Sequence, residues 1–355
     1  MVYVIFTLVL LVVVTSLFLN RAVFGRKTDT SAFTDLSNFF DSAFQNRSPT
    51  PMMTENGSYW KIMKQMLNKP KDVNPFGVIS VIKTDLKNLP LTTNNIVWFG
   101  HSSYLMILHG KRILVDPVFH KASPVNLFGK PYKMSHQYSV KDFPEIDVLV
   151  ITHDHYDHLD YKAVRELRPK AKNVITSKGV DEHLKLWGYK AEQIIALNWN
   201  DFAVIDGLEF TCLPARHFSG RKFKRGQTLW SSFRLKTPTT NIYIGGDSGY
   251  DTHFKEIGEK YGPFDLAILE CGQYGEYWPL IHMMPEETLQ ASKDLKAKVL
   301  LPVHWGKFSL STHPWTEPVE RLLTANADEV QNILTPQIGA VIMLDEENNT
   351  NSWWR

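Results

Sequence analysis

The chain has 355 residues, 43 % of them hydrophobic and 21 % charged, enough to bury a sizeable core within one large α/β unit. A net charge of +2 provides no general attraction for polyanions, so nucleic acid is not expected as a partner. Two cysteines, Cys212 and Cys271, sit in apolar runs; they exclude a disulfide framework and read as buried thiols of a reducing compartment.

Val2 to Leu19 carries no charge, and Arg21, Arg26 and Lys27 follow it. No basic residue precedes the apolar run and no A-x-A site follows it, which favours an uncleaved anchor over a signal peptide. Residues 1–20 are therefore expected to form a single transmembrane helix in the cell membrane. The basic flank would place the remaining chain on the cytoplasmic side.

Residues 21–94 read as a linker with covering helices. Phe33, Leu36, Phe40 and Phe44 recur at helical spacing, and Tyr59, Trp60, Met63, Met66 and Leu67 form a second stripe that stops near Pro70. Both stripes are expected to cover the main core, with a membrane surface as the alternative. The N-x-S/T triplets beginning at Asn46, Asn56 and Asn348 would matter only outside the cytoplasm.

A folded domain is expected over residues 95–345, before a polar tail at 346–355. Short apolar runs, among them NIVWFG, YLMILHG, RILVDP, DVLVITH, LEFTCLP, NIYIGGD, FDLAILE and KVLLPVHW, read as strands. YKAVRELRP and PEETLQASKDLKA read as helices between them. The texture suggests sheets covered by helices, an α/β (α+β) architecture.

The run ITHDHYDHLD holds His153, His155, Asp157 and His158 on the turn after an apolar strand, and Asp160 can cap the helix that follows. Gathering imidazoles and carboxylates without a cation would strip water from polar groups and leave them poorly satisfied. Histidine nitrogen and carboxylate oxygen are both zinc ligands. Three later strands also end in potential ligands, His217, Asp247 and His304. One zinc takes about four ligands, so seven candidates suit two ions if one carboxylate bridges. Histidine–carboxylate sites also accept iron or manganese.

This order of residues resembles the metallo-β-lactamase superfamily, whose H-x-H-x-D-H motif is followed by an isolated His, Asp and His. Within it the chain is similar to the N-acyl-phosphatidylethanolamine-hydrolysing phospholipase D group. The segments that carry the closer likeness are WFGHSS (98–103), VDPVF (115–119), THDHYDHLDY (152–161), GGDSGY (245–250), GPFDLAILECGQY (262–274), HMMPEE (282–287) and PVHWGKF (302–308). It spans roughly Asn95 to Leu344.

The resemblance implies an αββα sandwich with the metals at one edge. One zinc would be held by His153, His155 and His217, the other by Asp157, His158 and His304, with Asp247 bridging. It implies a phosphodiesterase acting on a membrane phospholipid, in which Asp157 orients the attacking water and His282 donates to the leaving oxygen or binds phosphate. His282 could instead be a turn residue near the helix that starts at Pro285. Asp116 is expected to accept from a ligand imidazole, and His101 is read as structural.

Rival readings keep the metals but change the substrate to a phosphorylated sugar lactone or another soluble ester, or remove catalysis altogether and leave a metal-binding scaffold. The G-D-S-G within GGDSGY also occurs in trypsin-like serine proteases, but those are usually secreted and disulfide-bonded, and no second glycine follows here. The basic loop Ala215 to Gly226 is read either as solvated or as drawn to anionic phospholipid. Oligomeric state is left open, with a homodimer as one outcome.

Overall fold

The computed structural model describes residues 2–125, 128–346, 348 and 351–355. The triplet at Asn348 and part of the tail at 346–355 run into residues outside that set. The chain opens with α1 (Val2–Leu19), the hairpin β1 (Phe39–Phe40) and β2 (Ala43–Phe44), and α2 (Tyr59–Leu67). A first sheet is built from β3 (Asn95–Trp98), β4 (Tyr104–Leu108), β5 (Lys111–Val115), β6 (Ile146–Ile151), β7 (Ala171–Ser177) and β8 (Ile194–Leu197), with α3 (Tyr161–Leu167) and α4 (Val180–Leu186) between its later strands. A second is built from β9 (Phe202–Ile205), β10 (Leu208–Leu213), β11 (Ser232–Lys236), β12 (Asn241–Ile244), β13 (Phe264–Glu270), β14 (Ala297–Val303) and β15 (Asn332–Ile333). Helices α5 (His253–Tyr261), α6 (Pro285–Asp294) and α7 (Glu317–Ala325) punctuate the second sheet, and β16 (Val341–Met343) returns to the edge of the first beside β3.

Each sheet has seven strands. Side-chain alternation shows how they are layered. In β12 and β13, Ile242, Ile244, Leu266 and Ile268 join the large central core, while Tyr243, Ala267 and Leu269 face a second cluster with Phe254 of α5 and Leu289 of α6. The period of two thus gives one face to the opposing sheet and the other to the helices. On the first sheet, Ala163, Val164 and Leu167 of α3 and Leu184 of α4 are buried in the same central cluster. Two sheets between outer helices make the expected αββα sandwich.

Strand direction is what builds the functional edge. β3 is antiparallel to β4 and β4 to β5, whereas β5, β6 and β7 are parallel, so β3, β5 and β6 all run one way. By the same logic β10, β12, β13 and β14 run one way in the second sheet. Every expected ligand follows the C-terminal end of one of these strands.

The N-terminal expectations need correction. α1 forms and is apolar on every side, but 18 residues at about 1.5 Å rise reach only about 27 Å, short of a hydrocarbon layer of about 30 Å. Among the described residues, no helix is long and apolar enough to cross a membrane, so the single transmembrane helix is not sustained.

The stripe from Phe33 to Phe44 is not an amphipathic helix. Asp41 and Ser42 adopt positive φ, 52° and 60°, and turn the chain into the β1–β2 hairpin. Phe33, Phe39 and Phe44 then pack as a buried aromatic triad. α2 is a helix, started by Ser58, whose Oγ accepts from Lys61 N, but none of its residues is buried. Trp60 is 77 % and Leu67 78 % exposed, so this stripe does not cover the core. At the other end, Trp354 is buried, Trp353 stacks on Trp305, and Arg355 pairs with Glu320.

Candidate metal centre

Beyond β6 the chain enters the H-D-H-Y-D-H turn. Asp160 closes that turn as the cap of α3, accepting from the backbone N–H of Lys162 and Ala163. β10 leads to His217, β12 to Asp247 and β14 to His304. Gly246 allows the end of β12 to reach the turn: a Cβ there would stand 2.7 Å from the Ser231 carbonyl and 3.0 Å from Cβ of Thr152. His304 itself holds a positive φ of 68°, as do His101 at 54° and Asp116 at 39°, conformations kept only where the surroundings enforce them.

All seven expected ligands are brought together. The ligand atoms of His153, His155, His217 and Asp247 lie within 4.8 Å of one another, and so do those of His101, Asp157, His158 and His304. Asp247 joins the groups. Its Oδ2 faces His153 and His217 at 3.8 and 3.7 Å, and its Oδ1 faces His158 and His304 at 3.1 and 3.2 Å.

The donor set fits divalent cations. Nε2 of His153, Nε2 of His158, Nε2 of His304 and Oδ1 of Asp247 are all buried without a hydrogen-bond partner. Four such atoms aimed at one small region would be costly unless cations satisfy them. Burial pushes His153, His217 and His304 well below the usual imidazole range, which leaves their lone pairs available. Burial also opposes charge on His158, yet the carboxylates of Asp247 and Asp157 hold it well above that range. So much carboxylate beside a buried imidazole marks a place that favours positive charge.

A family model described as a beta-lactamase superfamily domain matches residues 111–305, more than half of the chain. The chain belongs to the metallo-β-lactamase superfamily. An uncharacterised protein of Mycobacterium tuberculosis is 37 % identical over 329 residues, covering 90 % of this chain and 87 % of that one. The N-acyl-phosphatidylethanolamine-hydrolyzing phospholipase D 1 of Caenorhabditis elegans is 33 % identical over 241 residues, 63 % of this chain and 67 % of that one. The solved structure of a metallo hydrolase from Ignicoccus hospitalis superposes with a TM-score of 0.54 at 25 % identity, covering 70 % of this chain and 97 % of that chain. The protein is a metal-dependent hydrolase of this superfamily.

Outside the ligand set, a further layer of hydrogen bonds fixes several imidazoles of this superfamily member. Asp116 Oδ2 accepts from His158 Nδ1 at 2.8 Å, and the Asp116 carboxylate also takes the backbone N–H and hydroxyl of Thr152. His217 Nδ1 donates to the Ile281 carbonyl at 2.8 Å, which turns Nε2 to the metals, and Ser102 Oγ lies 2.9 Å from His304 Nδ1. His101, expected to be structural, lies closer to the chemistry than that: its Nε2 is 3.0 Å from Asp157 Oδ2. It can hold the carboxylate of Asp157 in place, and the sequence signal for it was its position at a strand end in FGHSS.

His282 enters the site from the loop before α6, with its ring 5.1 Å from that of His217 and 5.3 Å from that of His304. Its Nδ1 is 2.6 Å from Oε2 of Glu270, the last residue of β13. Sequence reasoning missed Glu270, although it too ends an apolar strand on the functional edge. Its Oε1 accepts from the N–H of Met283 at 2.9 Å, and burial pushes its carboxyl up to about 7. Burial works against charge on His282, but Glu270 and Asp247 lift it to about 9. Glu270 and His282 also share a possible ligand group with Asp247 and His304, which places the pair directly against the candidate ligands.

Beside the two ligand groups opens a cavity of about 260 Å³, lined by His155, Asp157, His217, Asp247, His282 and His304 among others. Met52, Met53, Ile62, Phe218 and Trp278 give it an apolar lining. Arg225 also lines it, with its guanidinium 4.7 Å from the centre of the Phe218 ring and no ion pair among the described residues. Larger hollows lie elsewhere, beside Arg47 and Glu256 and beside Asp265 and Lys298, but neither contains one of these ligand groups.

Proposed function

We propose that this hydrolase cleaves the phosphodiester of an N-acylphosphatidylethanolamine-type phospholipid, giving phosphatidic acid and an N-acylethanolamine. The observation that carries the reading is the joint character of the cavity: two histidine-rich groups divided by the oxygens of Asp247 at its floor, and an apolar rim with one guanidinium above. A phosphodiester flanked by acyl chains matches that combination, and the similarity to the Caenorhabditis elegans phospholipase supports it.

His153, His155 and His217 would hold one zinc and Asp157, His158 and His304 the other, with Asp247 shared between them. When bound, such a pair supplies a water made acidic near neutral pH and positive charge for the phosphoryl oxygens. Asp157, steadied by His101, orients that water. The water oxygen would add to phosphorus as its proton passes to the Asp157 carboxylate, the bond from phosphorus to the ethanolamide oxygen would break, and that oxygen would take its proton from His282. Glu270 holds Nδ1 of His282 and leaves Nε2 for this transfer. Arg225 balances the phosphodiester charge, and Met52, Met53 and Trp278 keep bulk water from the reacting centre.

Membrane attachment belongs to the same proposal. α1 exposes apolar side chains on every side, which a lipid surface would cover, with Arg21, Arg26 and Lys27 beside it to meet anionic headgroups.

The test offers the purified full chain, its metal content measured, an N-acylated phosphatidylethanolamine and separately a phosphorylated sugar lactone. Phosphatidic acid and N-acylethanolamine should form from the lipid while the lactone stays intact. Turnover of the lactone alone would replace the lipid reading with a soluble-ester one.

A further inference from the structure

A second cavity, of about 410 Å³, lies at the foot of α1. Asn20, the residue after α1, lines it together with Lys27, Lys222 and Lys224. Thr28 and Thr228 line it too, and both of their hydroxyls are buried without a hydrogen-bond partner, although Thr28 is only 4 % and Thr228 only 1 % exposed. A buried hydroxyl without a partner is costly in an isolated protein and is accounted for when a ligand supplies the missing acceptor or donor.

The charges around the cavity divide into two kinds. Arg221 and Asp154 are committed to holding its floor. Arg221 donates to the carbonyls of Val23, Asp154 and Leu159, and Asp154 accepts from the Gly220 N–H at 2.7 Å and contacts His183 Nε2 at 3.2 Å. Arg26 stands 3.6 Å from Glu182. Lys27, Lys222 and Lys224 have no ion pair among the described residues. Three exposed lysines and two threonines with unsatisfied hydroxyls thus line one hollow whose acid, Asp154, is already engaged.

We propose that this hollow binds a phosphoryl group, that of an anionic phospholipid at the membrane surface. The chemistry of lysines and hydroxyls would suit a free phosphate equally well. The surroundings favour the lipid: Asn20, which lines the hollow, directly follows the apolar and exposed α1, and Phe223, 87 % exposed, lines it between Lys222 and Lys224 in the sequence. Exposed apolar groups next to a phosphate site match a headgroup with acyl chains beside it. This site is separate from the metal centre and does not depend on which ester is cleaved there.

The experiment follows binding of the full chain to phosphatidylcholine vesicles with and without phosphatidylglycerol. The triple variant Lys27→Gln, Lys222→Gln, Lys224→Gln should lose about 10–100-fold in affinity for the anionic vesicles and keep its affinity for the neutral ones. Removing the same charge at the exposed residues Lys130, Lys133 and Lys255, outside the cavity, should cost less than about threefold, since charge away from the contact is screened. Thr28→Val and Thr228→Val, with unchanged melting, should each weaken binding of soluble dihexanoyl phosphatidylglycerol by about tenfold. Equal losses from the two lysine triples would reduce the effect to diffuse charge and overturn the site. Wild-type binding by both threonine variants would also overturn it, and so would inorganic phosphate binding as tightly as the short-chain lipid.

Discussion

The metal centre and the N-terminal 94 residues are opposites in how their demanding groups are satisfied. At the centre, polar atoms are buried, and nearly every imidazole is oriented by a partner on its far side, Asp116 for His158, Ile281 for His217 and Glu270 for His282. In the N-terminal region, two helices expose apolar groups: α1 from Tyr3 to Phe18, and Trp60 and Leu67 of α2. One region presents polar atoms that only a cation completes; the other presents apolar surface that only something outside the chain covers. The cavity lies where they meet, lined both by candidate ligands and by Met52, Met53 and Ile62.

The sharpest way to break this contrast is at its hinge. Asp247→Ala should release metal and lower kcat/KM by about 10³-fold or more, read by metal analysis beside the hydrolysis assay. Full metal content in that variant would remove Asp247 from its bridging role.

Next comes the separation of chemistry from metal binding. His282→Gln should keep the metals and lower kcat by about 10²–10³-fold, with KM little changed, if it is the proton donor. Metal loss instead would make His282 a ligand, in line with the group it shares with Asp247, Glu270 and His304.

Smaller effects follow from the outer hydrogen bonds. Asp116→Asn, which weakens the hold on His158, should raise the metal dissociation constant by about 10–100-fold, measured by competition with a chelator. The smallest change tests the exposed side of the contrast. Trp60→Ser with Leu67→Ser should leave the unfolding free energy within about 0.5 kcal/mol, because neither side chain is buried. Hydrolysis of vesicle-embedded substrate should nevertheless fall about threefold, while a short-chain soluble analogue is cleaved as before. A large loss of stability would mean that α2 packs on the body after all.

Much of the sandwich was legible because apolar runs of strand length are local. DVLVITH, NIYIGGD, FDLAILE and KVLLPVHW all form strands where expected, since a buried strand declares itself in consecutive residues. The stripe from Phe33 to Phe44 misled because spacing alone does not distinguish a helix from a hairpin whose turn reverses the chain. Two residues at positive φ, Asp41 and Ser42, decide the matter, and neither is the glycine or asparagine that usually marks such a turn. α2 misled in another way: its periodicity was real, but periodicity names an apolar face without saying what covers it. Glu270 went unnoticed because a single carboxylate after an apolar run has no pattern of its own; only the 2.6 Å approach to His282 gives it a role.

By itself the amino-acid sequence determined the identity of the metal-seeking groups, because H-x-H-x-D-H concentrates them within one turn and side-chain type is a property of the chain alone. It also determined that Val2 to Leu19 would be apolar. The tertiary structure alone decided that β3, β5 and β6 in one sheet, and β10, β12, β13 and β14 in the other, would point the same way, and so deliver residues far apart in the chain to one edge. It decided as well that Asp247 would turn one oxygen toward each histidine group, since direction and distance between strands arise from pairing and packing, which no short stretch of residues contains.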